Sequence, residues 1–355
     1  MTPLALLLAS LLLLLTAEAP ANPTQMWAFH SDQEIFHSAA LTNGPFAYAG
    51  SHAGDNNFAR QFLIAGDGSP AFSVSGQDWT VAASATGDYW AAADNESDNS
   101  VVFSLWASQS NESLGEYSFE GVMPYGQDML RFSADGATLA GLFGDAATTR
   151  VIVWDVPWQI PGIRFFYESF TPVGGPPNAF ALSGDGAIVA FIAGQHCHVL
   201  NTMSLQIYGV SNIQEQANAL DLSQDGSLIA YGYSEIRLKS FNGTSYSTEW
   251  TQEISGYHCQ ELMFSPSGDY LASSWTKNDN SRILIRLYDL ETGEEIWTFE
   301  TPESASNLQD AAVSLDMSSD GNWLAVGTWG RGVETLPEVH VFHRGFSVPY
   351  FSLDM

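Results

Sequence analysis

The feature that most constrains this chain is one short unit that recurs seven times. An apolar strand runs into Ser-x-Asp-Gly or a near relative, then come a second apolar strand, a polar loop and a third strand. The unit is clearest at Leu130-Arg131-Phe132-Ser133-Ala134-Asp135-Gly136, with Ala137-Thr138-Leu139-Ala140-Gly141 behind it. It returns at Phe180 to Gly186, Leu220 to Gly226, Leu262 to Gly268 and Leu315 to Gly321, with degenerate copies ending at Gly44 and Gly87. Asp-Gly and Asn-Gly supply the positive-φ positions that tight hairpins between twisted strands require. Strands that follow the turn, such as Ala187-Ile188-Val189-Ala190-Phe191-Ile192, are nearly all apolar, as suits burial on both faces.

The turn glycines (Gly44, Gly87, Gly136, Gly186, Gly226, Gly268 and Gly321) recur every ~40 to 53 residues, the period of a four-stranded propeller blade. No useful length of helical periodicity interrupts them. The pattern predicts an all-β chain: a seven-bladed β-propeller of four-stranded antiparallel blades. The blades are expected near 35–72, 80–119, 129–170, 178–213, 218–254, 259–300 and 311–355, as one domain over 22–355. Met26-Trp27-Ala28-Phe29-His30 resembles Glu295-Ile296-Trp297-Thr298-Phe299 and competes with Val348 to Leu353 for the outer strand of the last blade.

Residues 1–21 read as a secretory signal rather than as part of the fold. The apolar run from Leu4 to Leu15 is followed by the small residues around Ala17, Ala19 and Ala21, with cleavage expected after Ala21. The run is short for a membrane span, and no later stretch is apolar enough to cross a bilayer. The mature chain is therefore expected outside the cytoplasm, secreted, periplasmic or at a cell surface, with no membrane insertion after cleavage.

Charge narrows the partners. The chain carries 40 Asp plus Glu against 11 Lys plus Arg, a formal net charge of −29. That excludes nucleic acid, whose affinity comes from neutralising phosphates, and it argues against anionic membranes. It leaves cations, basic partners and neutral sugars, or a solubility role for the acidity itself.

The Ser-x-Asp-Gly hairpins together with Val153-Trp154-Asp155 resemble the WD40 and YVTN-type propellers. The segment Tyr288-Asp289-Leu290-Glu291-Thr292-Gly293-Glu294-Glu295-Ile296-Trp297 resembles the strand–turn–strand of the quinoprotein (PQQ-type) repeat. The resemblance covers essentially the whole mature chain and implies the fold, but propellers host many unrelated activities. The chain lacks the vicinal Cys pair of cofactor-binding quinoproteins, so no quinone is expected.

Three groups of residues could carry chemistry. Asp128, Asn178, Asn218 and Gln260 each lie eight residues ahead of a turn glycine, and Asp78 and Asp310 lie nearby in other blades. These are expected to ring the mouth of the central channel, either as a polar recognition funnel or as acceptors for strand-entry N–H groups. Asp94, Glu96 and Asp98 alternate like the start of a calcium loop, although Asn99 stands where the glycine belongs and Leu105 where the bidentate Glu belongs. No cofactor is expected, with calcium the one this loop could take. His196-Cys197-His198 and His258-Cys259 combine imidazole and thiol, which suits zinc or copper. A Cys197–Cys259 disulfide and independent packing are the alternatives.

No Gly-x-Ser-x-Gly motif or serine triad is recognisable. The function expected is non-catalytic: a binding or scaffold propeller, monomeric, presenting a loop face to a protein, peptide or glycan. The alternative is a hydrolase or lyase acting on a sugar or lactone at the channel mouth, with or without calcium.

Overall fold

The computed structural model describes residues 35–353 apart from 42–45, 54–57, 64–69, 76–79, 97, 122–128, 145–147, 158–161, 171–176, 213–216, 303–308 and 331–338. Its strands form seven four-stranded antiparallel sheets, each built from four consecutive strands in chain order. Sheet 1 comprises Ile35–Leu41, Phe46–Ala53, Phe58–Leu63 and Pro70–Ser75, and sheet 2 comprises Thr80–Ala83, Tyr89–Asn95, Ser100–Ala107 and Glu112–Glu120. Sheet 3 holds Leu130–Phe132, Thr138–Gly144, Thr148–Asp155 and Ile163–Phe170, and sheet 4 holds Pro177–Leu182, Ile188–Ala193, His196–Asn201 and Gln206–Asn212. Sheet 5 is Ala219–Leu222, Leu228–Gly232, Glu235–Phe241 and Tyr246–Glu253, and sheet 6 is Tyr257–Phe264, Tyr270–Lys277, Ile283–Asp289 and Glu295–Glu300. Sheet 7 ends the series with Gln309–Met317, Trp323–Gly330, Val339–His343 and Phe351–Leu353. The last of these pairs with the third strand, so the C-terminal segment supplies the outer strand there. Residues 26–30 lie outside the described residues.

The recurring turn does more than reverse the chain. In Ser133-Ala134-Asp135-Gly136 the Ser133 hydroxyl donates to Asp135 Oδ1 (2.6 Å), the Ala137 amide donates to the same oxygen (2.9 Å) and the Thr138 amide donates to Ser133 Oγ (2.9 Å). The same three bonds form at Ser183/Asp185, Ser223/Asp225 and Ser318/Asp320. Their glycines have φ between 66° and 71°, a region costly for residues with a Cβ. At Gly186 a Cβ would also lie 2.5 Å from Thr138 Oγ1 of the preceding sheet. Successive turns touch each other too: the Ala134 amide donates to Gly184 O (2.8 Å) and the Asp185 amide to Gln224 O (3.1 Å).

Burial falls from the inside of each sheet outwards. The second strands Thr138–Gly144 and Ile188–Ala193 are buried at every position, whereas the fourth strand Glu112–Glu120 is mostly exposed or half-buried. First strands lie against first strands from sheet 1 through sheet 7. Side chains alternate between the two neighbouring interfaces, as the period of two requires. In sheet 5, Leu220, Leu222, Ile229 and Tyr231 pack towards sheet 4, while Ala219, Ala230, Ile236 and Leu238 pack towards sheet 6. This is an all-β propeller architecture, with its core divided among the spaces between sheets.

Candidate functional site

The residues expected at the channel mouth are placed unevenly. Asp78 and Asp128 fall outside the described residues; Asn178 and Asp310 lie in the first strands of sheets 4 and 7, where their backbones alone are described. Asn218 is exposed and its amide donates to Gly232 O (3.1 Å), and Gln260 is half-buried. The eight-residue spacing has a structural meaning. Asn178 and Gln260 occupy the odd residue where pairing slips between Pro177 and Ala179 and between Cys259 and Glu261. A third slip, between Ala312 and Ser314, leaves Val313 at the equivalent position. The shared register is thus that of a β-bulge, which re-aims the strand where it enters the sheet.

The acidic loop of sheet 2 does not gather its carboxylates. Asp94 is buried within the second strand, while Glu96 and Asp98 are exposed on the hairpin beyond it. Asp98 Oδ1 accepts from the Ser100 hydroxyl (2.6 Å) and amide (3.0 Å), which holds its pKa below the ordinary value. Asn99, at φ 62°, closes a tight hairpin in which the Glu96 amide donates to Ser100 O (2.8 Å). The alternation that suggested a calcium loop is therefore strand alternation running into a turn. Among the described residues no three His, Cys, Asp or Glu side chains are placed to hold a metal ion.

The cysteine expectations are corrected by the same alternation. Cys197 and Cys259 are free, buried thiols rather than a disulfide. Cys197 packs in the interface between sheets 4 and 5, and Cys259 in that between sheets 5 and 6, so sheet 5 stands between them. Burial pushes the Cys197 thiol up to about 12 and that of Cys259 well above its ordinary value, which leaves both protonated and inert. His198 faces the opposite way from Cys197, stacked on Phe191 (centroids 4.5 Å apart), and neither of its buried ring nitrogens has a hydrogen-bond partner. Burial, with a smaller contribution from His196, lowers its pKa to about 4. His258 Nδ1 is 3.2 Å from Asn278 Oδ1. These imidazoles and thiols do not converge on one point.

What the sequence reading missed lies on the other end of the sheets, where the first and third hairpins meet. In sheets 2 to 7 a residue at the end of each third strand donates its amide to the first hairpin: Ser108 to Asp88 O, Val156 to Ala137 O, Thr202 to Ala187 O, Phe241 to Ser227 O, Leu290 to Asp269 O and Arg344 to Asn322 O. The hairpins between third and fourth strands therefore share a face with the Ser-x-Asp-Gly turns. Among the described residues the tips of sheets 2, 5 and 6 are polar. In sheet 4, however, Met203 and Leu205 are each 66% exposed and Ile207 is 52% exposed. Phe346 and Val348 are exposed on the corresponding connection of sheet 7.

The sheet 4 tip is built without help from its apolar side chains. Asn201 Oδ1 accepts the amides of Met203 (2.9 Å) and Ser204 (2.7 Å), which folds the turn. Leu205 then takes φ 58°, a left-handed conformation that costs a branched residue roughly 1–2 kcal/mol. The equivalent residue is Asn111 (φ 51°) in sheet 2 and Gly293 (φ 72°) in sheet 6, the residue types that tolerate it. Beside the tip, Tyr208, Phe241 and Tyr246 form an aromatic cluster with centroids 4.6 and 5.1 Å apart, and the Tyr246 hydroxyl donates to Gly226 O.

The fold class is that of a β-propeller, and the hairpin face is its most distinctive surface. Among solved structures, the chain resembles the β-propeller domain of Myceliophteria thermophila Cps50 (Swd1), a WD40-type propeller, with a TM-score of 0.58 and 14% identity over 84% of this chain and 94% of that one. That likeness is one of fold. No family model matches the chain, and no curated protein matches it in sequence.

Proposed function

We propose that this chain is an exported, non-catalytic binding propeller whose hairpin face docks a protein or peptide. The observation that carries the reading is the sheet 4 tip, where three apolar side chains are held in solvent and one of them adopts a strained backbone. Exposed apolar groups on a soluble fold mark contact surfaces when they cluster. Backbone strain persists where something other than stability selects it. Propellers of the WD40 type commonly mediate protein interactions, which supports a protein partner. Export rests on the leader-like residues 1–21, and no helix among the described residues is long and apolar enough to cross a membrane.

On the hairpin face the carboxylates are set up for turn formation rather than for acid catalysis. Hydrogen bonds hold Asp135, Asp225, Asp289 and Asp320 below their ordinary values, Asp320 at about 2. A general acid for glycoside chemistry needs the opposite shift.

The test is site-specific photo-crosslinking in the producing culture, with a benzophenone side chain at position 203 and, as control, at position 291 of sheet 6. A discrete adduct with one partner protein from position 203 alone is the expected result. Equal, diffuse labelling from both positions overturns the reading. Adducts with this chain itself would make the face a self-association surface, and adducts with a glycan would replace the protein partner.

A further inference from the structure

Met203, Leu205 and Ile207 stand on a face that is strongly and one-sidedly charged. In six consecutive sheets the first hairpin presents an exposed carboxylate there: Asp88, Asp135, Asp185, Asp225, Asp269 and Asp320. Asp185 and Asp225 lie on the turns next to the apolar tip: Thr202, the residue before Met203, donates to Gly186 O (2.9 Å) and Ala187 O (2.8 Å), and the Asp185 amide donates to Gln224 O (3.1 Å). Most of the described bases are already engaged elsewhere. Seven of its 11 basic side chains are already ion-paired, namely Arg131, Arg150, Arg164, Arg237, Lys277, Arg282 and Arg286. Of the described bases near the hairpin face, Arg164 is held by Asp155, Arg344 lies over the ring of Tyr270, 4.7 Å from its centroid, and Lys239 lies over the ring of Tyr231, 5.6 Å from its centroid.

We infer that the docked segment is a basic peptide carrying an apolar anchor: its aliphatic side chain packs on Met203, Leu205 and Ile207, and its Lys or Arg residues reach Asp185 and Asp225. The inference rests on the docking reading above and adds the partner's chemistry to it. Charge complementarity decides among occupants. A second copy of this chain carries the same net charge of −29 and the same carboxylates on this face, and an acidic segment meets the same repulsion. A neutral glycan gains nothing from the carboxylate ring beyond hydrogen bonds. Asp185 and Asp225 are available for the role, because each uses Oδ1 for its own turn, through Ser183 and Ala187 and through Ser223 and Ser227.

The experiment is fluorescence anisotropy of the mature protein with two short labelled peptides, one of Lys and Leu and one of Glu and Leu with the same pattern. The Lys/Leu peptide is expected to bind at least about tenfold more tightly, a difference of about 1.4 kcal/mol, and to weaken as salt is raised. Leu205→Asn and Met203→Ser should each weaken it several-fold. Asp185→Asn with Asp225→Asn should remove most of the salt dependence, and asparagine keeps the oxygen that each turn needs. Leu205→Asn is the safe variant for folding, since Asn111 occupies the equivalent position in sheet 2 at φ 51°. Equal binding of both peptides, lost equally in Leu205→Asn, overturns the basic partner and leaves the docking surface standing. Lys/Leu binding that ignores Met203 and Leu205 overturns the apolar anchor and the docking reading with it. Failure of the Lys/Leu peptide to bind overturns the inference alone, provided that position 203 still crosslinks a protein.

Discussion

The hairpins that join the third and fourth strands of sheets 4 and 6 have the same construction and opposite surfaces. Each begins with a side-chain oxygen that captures the amide three residues on: Asn201 to Ser204 (2.7 Å) and Asp289 to Thr292 (2.9 Å). Each is tied to the first hairpin of its own sheet by one backbone bond, Thr202 to Ala187 and Leu290 to Asp269. Position by position, Met203, Leu205 and Ile207 then stand where sheet 6 has Glu291, Gly293 and Glu295. Sheet 6 takes the solution that favours stability, with glycine at positive φ and acids in water. Sheet 4 accepts strain and exposed apolar area in the same backbone frame. The difference teaches that the tip's sequence is not required by the fold, because the fold makes the same turn without it.

The comparison extends one step into the third strands. His198 in sheet 4 occupies the position of Arg286 in sheet 6, whose Nη1 is 3.2 Å from Glu295. It also corresponds to His340 in sheet 7, another buried imidazole with a pKa lowered by desolvation. Among the described connections, those with exposed apolar residues belong to the sheets with a histidine at this position.

The largest expected effect lies away from both hairpins and tests whether they act locally. Asp221 in the first strand of sheet 5 is 3.3 Å from Arg131 of sheet 3 and accepts the Phe264 amide of sheet 6 at 2.8 Å. Asp221→Ala removes the ion pair to that guanidinium and leaves that N–H without its acceptor, at a cost of about 3 kcal/mol in urea unfolding. Binding of the Lys/Leu peptide per folded molecule should not change; a parallel loss would break the claim that the sheet 4 tip is independent of the core.

The next effect is acid sensitivity, and it should divide sheet 4 from sheet 6. His198 titrates at about 4 in the fold against 6.5 ordinarily, so between these values the unfolded chain binds the extra proton. Stability is full above pH 6.5 and falls by about 3 kcal/mol as pH drops towards 4. His198→Phe, stacked on Phe191, should flatten most of that slope in Tm measured against pH. An unchanged slope would move the acid response to His340 or elsewhere.

Exchange of the tips gives smaller, opposite changes. Gly293→Leu puts a branched side chain at φ 72°, with the nearest atom to its Cβ 3.6 Å away on Trp250, so conformation rather than collision sets the cost. A loss of about 1 kcal/mol is expected, and combined with Glu291→Met it should create a second peptide site, read as a stoichiometry of two. Leu205→Asn should raise stability by about 0.5 kcal/mol while it weakens peptide binding. A variant that is both less stable and less well bound would mean that Leu205 serves the fold, and the contrast between the sheets would lose its functional meaning.

The repeat alone determined the architecture, because its information is local. A Ser-x-Asp-Gly turn closes on its own hydroxyl and carboxylate, its glycine supplies positive φ, and the apolar strand behind it can be buried only between two neighbours. The four-stranded sheets and the buried second strands follow from those residues. The spacing that grouped Asn178 with Gln260 was legible as well, although its cause is a bulge register that pattern alone does not reveal. Tertiary structure decided the rest. Period-two alternation sent Cys197 and Cys259 to opposite sides of sheet 5, and the end of the second strand at Asn95 left Asp94 buried while Glu96 and Asp98 reach the exposed hairpin, which no spacing argument resolves when strand register and strand ends are unknown. It also decided that Met203, Leu205 and Ile207 face water. In sequence they read like any other strand-flanking apolar residues, and exposure is a property of what lies across the gap rather than of the residues themselves.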